Sequence, residues 1–491
     1  MTDMQQLNSL LSKIPTIQRP TRAVSFKEKL MWTIGILAVY FLLTNIQLFG
    51  LSPESSDMFE AYRTFFAGAS GSILLLGIGP IVTASIILQL LVGANVINLD
   101  LSNPLHQEFS QNLQKALIIV MAVLEAIPQI VSGFIQPDVA LANSLGIDSS
   151  MMLFGIFIQI VIGGLMIMYM DEIVSRWGIG SGVGLFIVAG ISEQLINGII
   201  NWRPDETGIP VGLIPKWIYI FQSGALDLAT MDGISYMLIS GGVLGLISTI
   251  AIFMFVVYAE STRIEIPLSY SGVKGARGKF PVKLIYASVL PMILVRALQA
   301  NIQMICMLLD SHGIHIFGQY VNGTTPVSGI AYYLSPINSP YQWIPTMVRD
   351  SFANYGVMGP ETWQIGLHVL MDAIFLIVGG IIFAKFWVQT TGMDSHSTAN
   401  KIYNSGLQVP GFRRNIGSIE KITDRYIPRV TVLGGAIIGG LTLVASLLGT
   451  IGSVGGTGLL LTISIVYRLY EEIGTEAMKG MHPILRNFLG D

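Results

Sequence analysis

Apolar residues run through this chain in long stretches separated by short polar turns. Ten stretches approach the ~20 residues that a helix needs to cross a hydrocarbon core of ~30 Å. They lie near 30–49, 74–93, 116–135, 151–170, 183–200, 236–258, 285–308, 365–384, 430–448 and 455–470. The first, third, sixth and eighth are clear spans. The second and tenth are rich in glycine, which predicts partly irregular backbone. Such backbone must pack inside a bundle or line a water-filled cavity, because lipid offers no partner to a free N–H or C=O. The pattern predicts an all-α membrane protein with ten transmembrane helices, and ten spans put both termini on one side.

Composition excludes the soluble alternative. The chain has 491 residues, 52% hydrophobic and 12% charged, where a soluble domain carries ~25% charged residues. The net charge of −3 gives no global pointer to nucleic acid. The single cysteine, Cys306, excludes an intrachain disulfide framework and a cysteine-based metal cluster. The first 29 residues are polar and no small-residue cleavage site follows, so no cleavable signal peptide is expected. Of the 27 Lys and Arg, 22 fall in the tails and the even-numbered turns, and only Arg63, Arg203, Lys216 and Arg349 fall on the other face. The positive-inside rule therefore places both termini in the cytoplasm.

Two cytoplasmic loops, about 259–284 and 385–429, concentrate 12 basic residues, and Gly272, Gly275 and Gly278 read as turns in the first. Two readings stay open: the ordinary positive-inside excess, or an anionic partner such as lipid headgroups or RNA. Residues 54–72 read as a short amphipathic helix with Phe59, Tyr62, Phe65 and Phe66, then the small residues 67–71. It is either a plain interfacial helix or a re-entrant segment folded into a cavity. The segment 309–364, expected outside, is long and Pro-rich and carries no catalytic pattern. Ten spans divide as five and five, and a unit with an odd span number is inserted upside down when repeated. That geometry fits an inverted repeat with the functional site between the halves.

No enzyme chemistry is expected. His106, His312, His315, His368, His396 and His482 form no HExxH pattern, and there is no GxSxG or Walker motif. No cofactor is implied, and energy must come from an external motor. The main alternative is a secondary transporter with an inverted repeat, which would need a polar midplane site. The intramembrane charges that stand out are Glu125, Arg296 and Asp372. Arg296, three residues past Ile293 on the same face, either pairs with Glu125 or reaches a wet funnel.

Six strings carry a more specific message. They are GIGPIVTASIILQLL at 77–91, DEIVSRWGIGSGVGLFIVAG at 171–190, VVYAESTRIEIPL at 256–268, LQANIQ at 298–303, GIAYYLSP at 329–336 and GGTGLLLTISIVYRLYEE at 455–472. In this order, on ten spans, they resemble the SecY family, the large subunit of the Sec protein-conducting channel, and its archaeal members in particular. The family is homologous to the alpha subunit of the endoplasmic reticulum translocon. The resemblance runs from about residue 20 to the C-terminus.

The resemblance implies a clamshell of two inverted five-helix halves around an hourglass pore, with a lateral opening between spans 2–3 and 7–8. Spans 1–5 form the half 30–200 after an N-terminal segment 1–29. An external hinge loop 201–235 leads to spans 6–10 in the half 236–470, before a tail 471–491. The function implied is passage of unfolded polypeptides through an aliphatic ring and sideways release of transmembrane helices. Matching positions assign the ring to Ile78, Val82, Val183, Ile187, Ile293 and Leu461, with Val183 where the family leads one to expect isoleucine. Ile78/Val82 and Val183/Ile187 are i,i+4 pairs, so each pair faces one way. An aliphatic ring excludes water and ions and grips no passing side chain.

The lateral-gate polar cluster falls on Thr83, Glu125 and Asn301. Interhelical polar contacts in membranes are worth only ~0.6–2 kcal/mol, which suits a reversible latch. The plug falls on 59–72, with Phe59, Tyr62, Phe65, Phe66 and Gly68. Ribosome docking falls on Arg263, Lys274, Arg277, Lys279, Lys283, Arg413, Arg414 and Lys421, where phosphate contacts need charge more than sequence. The partners implied are SecE-like (gamma) and beta-type small subunits in a heterotrimer, ribosomal RNA and protein, signal sequences, nascent polypeptides and the lipid bilayer. The place implied is the plasma membrane, crossed many times.

Overall fold

A computed structural model describes residues 11–22, 24–53, 55, 66–93, 96–97, 104–205, 208–223, 230–270, 277–287, 289–408, 415–452 and 454–479. Helices form where the apolar stretches predict them. The first, α1 (Phe26–Thr44), starts at a reciprocal cap. The Ser25 hydroxyl accepts from the Glu28 N–H, and the Glu28 carboxylate accepts from the Ser25 N–H. Turns over 73–78 precede α2 (Gly79–Gly93), so the glycine-rich second stretch is partly irregular. Next come α3 (Pro104–Val131), the short α4 (Val139–Leu145), α5 (Ser149–Trp177) and α6 (Gly182–Ile200).

Next comes α7 (Leu213–Ser223), so the expected hinge loop 201–235 is partly helical. The sixth expected span is two helices, α8 (Met231–Ile239) and α9 (Val243–Ser261). Gly242 joins them at φ 77°, a backbone conformation that only glycine adopts cheaply. The remaining long helices are α10 (Leu290–Ser311), α13 (Thr362–Thr390), α15 (Ile416–Leu448) and α16 (Gly455–Lys479). Among the described residues, seven helices, α3, α5, α6, α9, α10, α13 and α15, are long and apolar enough to cross a membrane. The other three expected spans coincide with α1 and α16, which carry charged ends, and with the shorter α2.

The halves meet along two lines. On one, α10 packs on α2 and α3, and α13 also reaches α2; on the other, α16 packs on α6. One apolar cluster runs through both halves and takes side chains from α1, α2, α3, α5, α6, α9, α10, α13, α15 and α16.

The described parts of the two basic stretches expected as loops form one folded unit. Strands β1 (Arg263–Tyr270) and β2 (Arg277–Lys283) pair antiparallel, with Arg263 opposite Lys283. Gly278 therefore lies in a strand and not in a turn, while Gly272 and Gly275 lie outside the described residues. Alternation builds the hairpin: Ile264, Ile266 and Leu268 fall on one face. Ile266, Leu268 and Val282 pack against Ala399 and Ile402 of α14 (Ser395–Asn404) and Ile419 of α15. The segment 309–364 also folds. It holds the hairpin of β3 (Tyr320–Val321) and β4 (Thr325–Pro326), α11 (Gly329–Tyr333), a 3-10 turn and α12 (Pro345–Asn354). Its own small core joins Tyr332, Val348 and Phe352 to Ile365 of α13. A last strand, β5 (Leu407–Gln408), extends the β2-β1 sheet.

Candidate functional site

Four helices contribute the six aliphatic positions, each near its N-terminal end. Ile78 immediately precedes α2, and its carbonyl accepts the Val82 N–H at 3.0 Å. Val183 and Ile187 lie in the first two turns of α6, whose start is fixed twice. The Ser181 hydroxyl accepts from the Gly184 N–H at 3.2 Å, and Asp171 Oδ1 from the Val183 N–H at 2.9 Å. A carboxylate there also complements the helix dipole. Ile293 is in the first turn of α10 and Leu461 in the second turn of α16. Ile78, Ile187 and Leu461 are fully buried, and Val82 and Ile293 nearly so. All five belong to the central apolar cluster, and the smaller Val183 is half-buried against it.

The three polar positions come together where α2, α3 and α10 meet. Asn301 Nδ2 donates to Thr83 Oγ1 at 3.2 Å across the join between the halves. Glu125 is buried on α3 and its carboxyl group faces the Thr83 hydroxyl. Gly79 leaves room for it, since a Cβ there would stand 2.8 Å from Glu125 Oε2.

Of the plug positions, Phe59, Tyr62 and Phe65 lie outside the described residues, and Phe66 and Gly68 lie within them. Phe66 and Ala67 are buried in the central cluster. The Phe66 carbonyl accepts from the Ile78 N–H at 2.6 Å, and the Ala67 carbonyl accepts from the Tyr40 hydroxyl at 2.9 Å. This seat depends on Gly77, at φ 55°, where a Cβ would strike the Phe66 carbonyl oxygen and the Gly68 backbone. Tyr40 went unnoticed in the sequence; its ring stacks on Phe186 beside the ring residue Ile187.

Among the basic positions, Lys274, Arg413 and Arg414 lie outside the described residues, as do the side chains of Arg277 and Lys279. Lys421 is exposed on α15. Arg263 and Lys283 share one carboxylate on α16. Arg263 Nη2 stands 3.3 Å from Glu471 Oε1, and Lys283 Nζ binds Glu471 Oε2. Lys283 Nζ also lies 5.6 Å from the centre of the Tyr467 ring. These two charges thus hold the hairpin to α16.

Arg296 neither pairs with Glu125 nor reaches a wet funnel. It is completely buried and turned into the second half, where its Nη1 lies 3.3 Å from Asp372 Oδ1 on α13. Its Nε donates to Thr457 Oγ1 at 2.9 Å, and its Nη1 to Gln299 Oε1 at 2.7 Å. Gln299 Nε2 then donates to the Leu334 carbonyl at 2.8 Å. A helical wheel puts Arg296 only ~60° from Ile293, so the residue spacing cannot say to which side a long side chain turns. The signal that could have found this network was the buried polar spacing of Arg296, Gln299 and Gln303 in one span. Among the described residues, no group of three or more His, Cys, Asp and Glu side chains could hold a metal ion.

Comparison with known proteins covers the whole chain. Residues 72–470 match the sequence profile of SecY, and residues 39–71 match the plug domain of Sec61p. The protein translocase subunit SecY of Archaeoglobus fulgidus is 54% identical over 490 residues, 99% of each chain. A solved structure of a protein conducting channel superposes with a TM-score of 0.78 at 38% identity, covering 96% of this chain and 98% of that one. Sec61 in the canine ribosome-channel complex from the endoplasmic reticulum gives 0.75 at 38% identity, with the same coverage.

Proposed function

The chain belongs to the SecY family, and from that premise we propose which of its parts do the work of a protein-conducting channel subunit. It is a multi-pass membrane protein and the channel subunit of a protein translocase. The pore is sealed by Ile78, Val82, Val183, Ile187, Ile293 and Leu461. The observation that carries this reading is that these side chains enter one apolar cluster from four helices of both halves. A wall without hydrogen-bond partners dewets, so hydrated ions meet a barrier while an extended polypeptide finds nothing to hold it.

The remaining roles follow from position. Thr83, Glu125 and Asn301 latch the lateral gate, and a hydrophobic signal helix opens it by taking the place of one weak contact. Phe66 to Gly68 end a plug seated on Ile78. The hairpin, with the start of α15, receives the ribosome, as Sec61 does in the canine complex. Two small single-span subunits, SecE-like and beta-type, complete a heterotrimer in the plasma membrane, with both termini in the cytoplasm. The chain does no covalent chemistry itself, so a ribosome or another motor drives transport.

Site-specific photo-crosslinking tests the ring. A crosslinker at position 187, 293 or 461 is expected to capture a stalled nascent chain, and one at position 154 or 158 on the exposed face of α5 to capture lipid. Capture of the nascent chain at 154 and 158 alone would move the pore elsewhere.

A further inference from the structure

The gate helix α10 has a second face that the channel roles leave unused. Ile293, Ala297 and Asn301 recur every four residues, and Asn301 meets Thr83 of the other half. Arg296, Gln299 and Gln303 form another stripe, about 120° round the helix. All three are buried. Polar groups at this depth are costly and usually have a task.

Among the described residues, the second stripe makes its hydrogen bonds within its own half. Arg296 reaches α13 through Asp372, α16 through Thr457 and α15 through Ser446, the last at 3.5 Å. Gln299 Nε2 donates to Asp372 Oδ1 at 3.3 Å as well as to the Leu334 carbonyl. Gln303 Nε2 donates to the Ala331 carbonyl at 2.8 Å, and its Oε1 accepts from the Tyr320 hydroxyl at 2.6 Å. His368 Nε2, one turn before Asp372, lies 2.9 Å from the Ser335 carbonyl. The folded segment 309–364 is thereby tied to α10 and α13 by side chains of the same network.

We infer that Arg296 and Asp372 are positioning residues of the gate: they fix the rotation of α10 about its own axis, so that Asn301 is presented to Thr83. The inference rests on the gate reading proposed above. A guanidinium bonded into three helices defines an orientation that apolar packing does not. Asn301 extends about 6 Å from the helix axis, so a rotation of about 20° carries its amide about 2 Å. That displacement breaks a hydrogen bond of 3.2 Å. Stability alone is a weak reason for the pair, because replacing a buried ion pair by apolar residues of similar volume is often neutral or stabilising. Gln299 and Gln303 pass the same constraint to the 309–364 segment, which moves with α10.

The test uses the whole translocase in vesicles and a double variant, Arg296→Met with Asp372→Leu, which removes both charges together and leaves neither stranded. The readout is the ratio of export for a precursor with a weakened signal sequence to one with a strong signal. The expected rise is about threefold to thirtyfold, the range set by one interhelical polar contact of ~0.6–2 kcal/mol at ~1.4 kcal/mol for each factor of ten. Asn301→Leu, measured beside it, should raise the ratio similarly and add little to the double variant. A parental ratio in the double variant, with a changed one in Asn301→Leu, overturns the positioning role and leaves the gate reading intact. A parental ratio in both overturns the gate reading and this inference with it. Should the double variant fail to accumulate, Arg296→Lys and Gln299→Leu take its place. The first keeps the charge without the fork and the second cuts the link to Leu334. Unchanged ratios in both overturn the inference.

Discussion

Replacing Ile78 and Ile187 together with asparagine should make the idle channel leak. Both side chains are fully buried in the central cluster. Each buried amide left without partners costs ~1–3 kcal/mol, hence ~2–6 kcal/mol for the two. Water entering the ring removes that cost. Even the low end favours a wet ring by a factor of about 30, at ~1.4 kcal/mol for each factor of ten. Part of the gain is offset by strain and by the Phe66–Ala67 seat, so the working expectation is an increase of about tenfold or more in open time, on the same scale of free energy. Planar-bilayer recording of the idle translocase in salt reads it directly. Export of a strong-signal precursor should persist, since the ring holds no chemical group that transport consumes. A double variant as tight as the parent, in a background also lacking residues 60–70, would refute the ring assignment. Tightness that disappears with that deletion would give the seal to the plug.

Three further outcomes can be checked. Gly77→Ala forces a Cβ against the Phe66 carbonyl and pays ~1–2 kcal/mol for the left-handed backbone. An Ala67→Cys reporter in that variant should react faster with a water-soluble maleimide, and an unchanged rate would mean that Gly77 does not set the seat. Glu471→Gln removes the shared partner of Arg263 and Lys283, each partly exposed pair being worth ~0.2–1 kcal/mol. Hydrogen exchange across β1 and β2 should quicken, whereas parental protection would show that the hairpin is held by its apolar face alone. Reversing Lys274, Arg277 and Lys279 to Glu should weaken ribosome binding and flatten its dependence on salt, because fewer phosphates are neutralised. Parental affinity at low and moderate salt would assign these charges to membrane topology.

Lipid makes spans legible, because a helix in hydrocarbon must be apolar along its length, and each expected stretch has its helix. The break in the sixth was present as Gly241-Gly242, inside a run apolar enough to hide it. The β1–β2 hairpin was also legible, since Ile264, Ile266 and Leu268 recur at every second position between Arg263 and Ser269. The surrounding glycines and basic charge point to turns instead. What stayed illegible was pairing across long separations. Arg296 and Asp372 are 76 residues apart, and Lys283 and Glu471 are 188 apart. Helical periodicity fixes the face a residue occupies to within the reach of its side chain, and arginine has the longest reach of all. Its partner is decided by which helix lies beside that face, which only tertiary packing supplies.

The two faces of α10 suggest why such a channel can be both tight and easily opened. Toward the first half, its directional contact among the described residues is one neutral hydrogen bond, Asn301 to Thr83, of a kind worth ~0.6–2 kcal/mol. Apart from the Glu125 carboxyl group, the rest of that join is mostly apolar packing, which has little preferred direction and tolerates sliding. Toward its own half, α10 holds a buried guanidinium–carboxylate pair and further bonds to α15, α16 and the 309–364 segment. Breaking such a pair by losing one partner typically costs ~3–5 kcal/mol. A signal helix that wedges at the join therefore meets the weaker side first. On the proposed reading, the second half swings as a body with its 309–364 segment attached, and the ring widens because Ile293 and Leu461 leave Ile78 and Ile187 together. The strength of the inner clasp is then what keeps a small force at the seam from being lost in deforming α10.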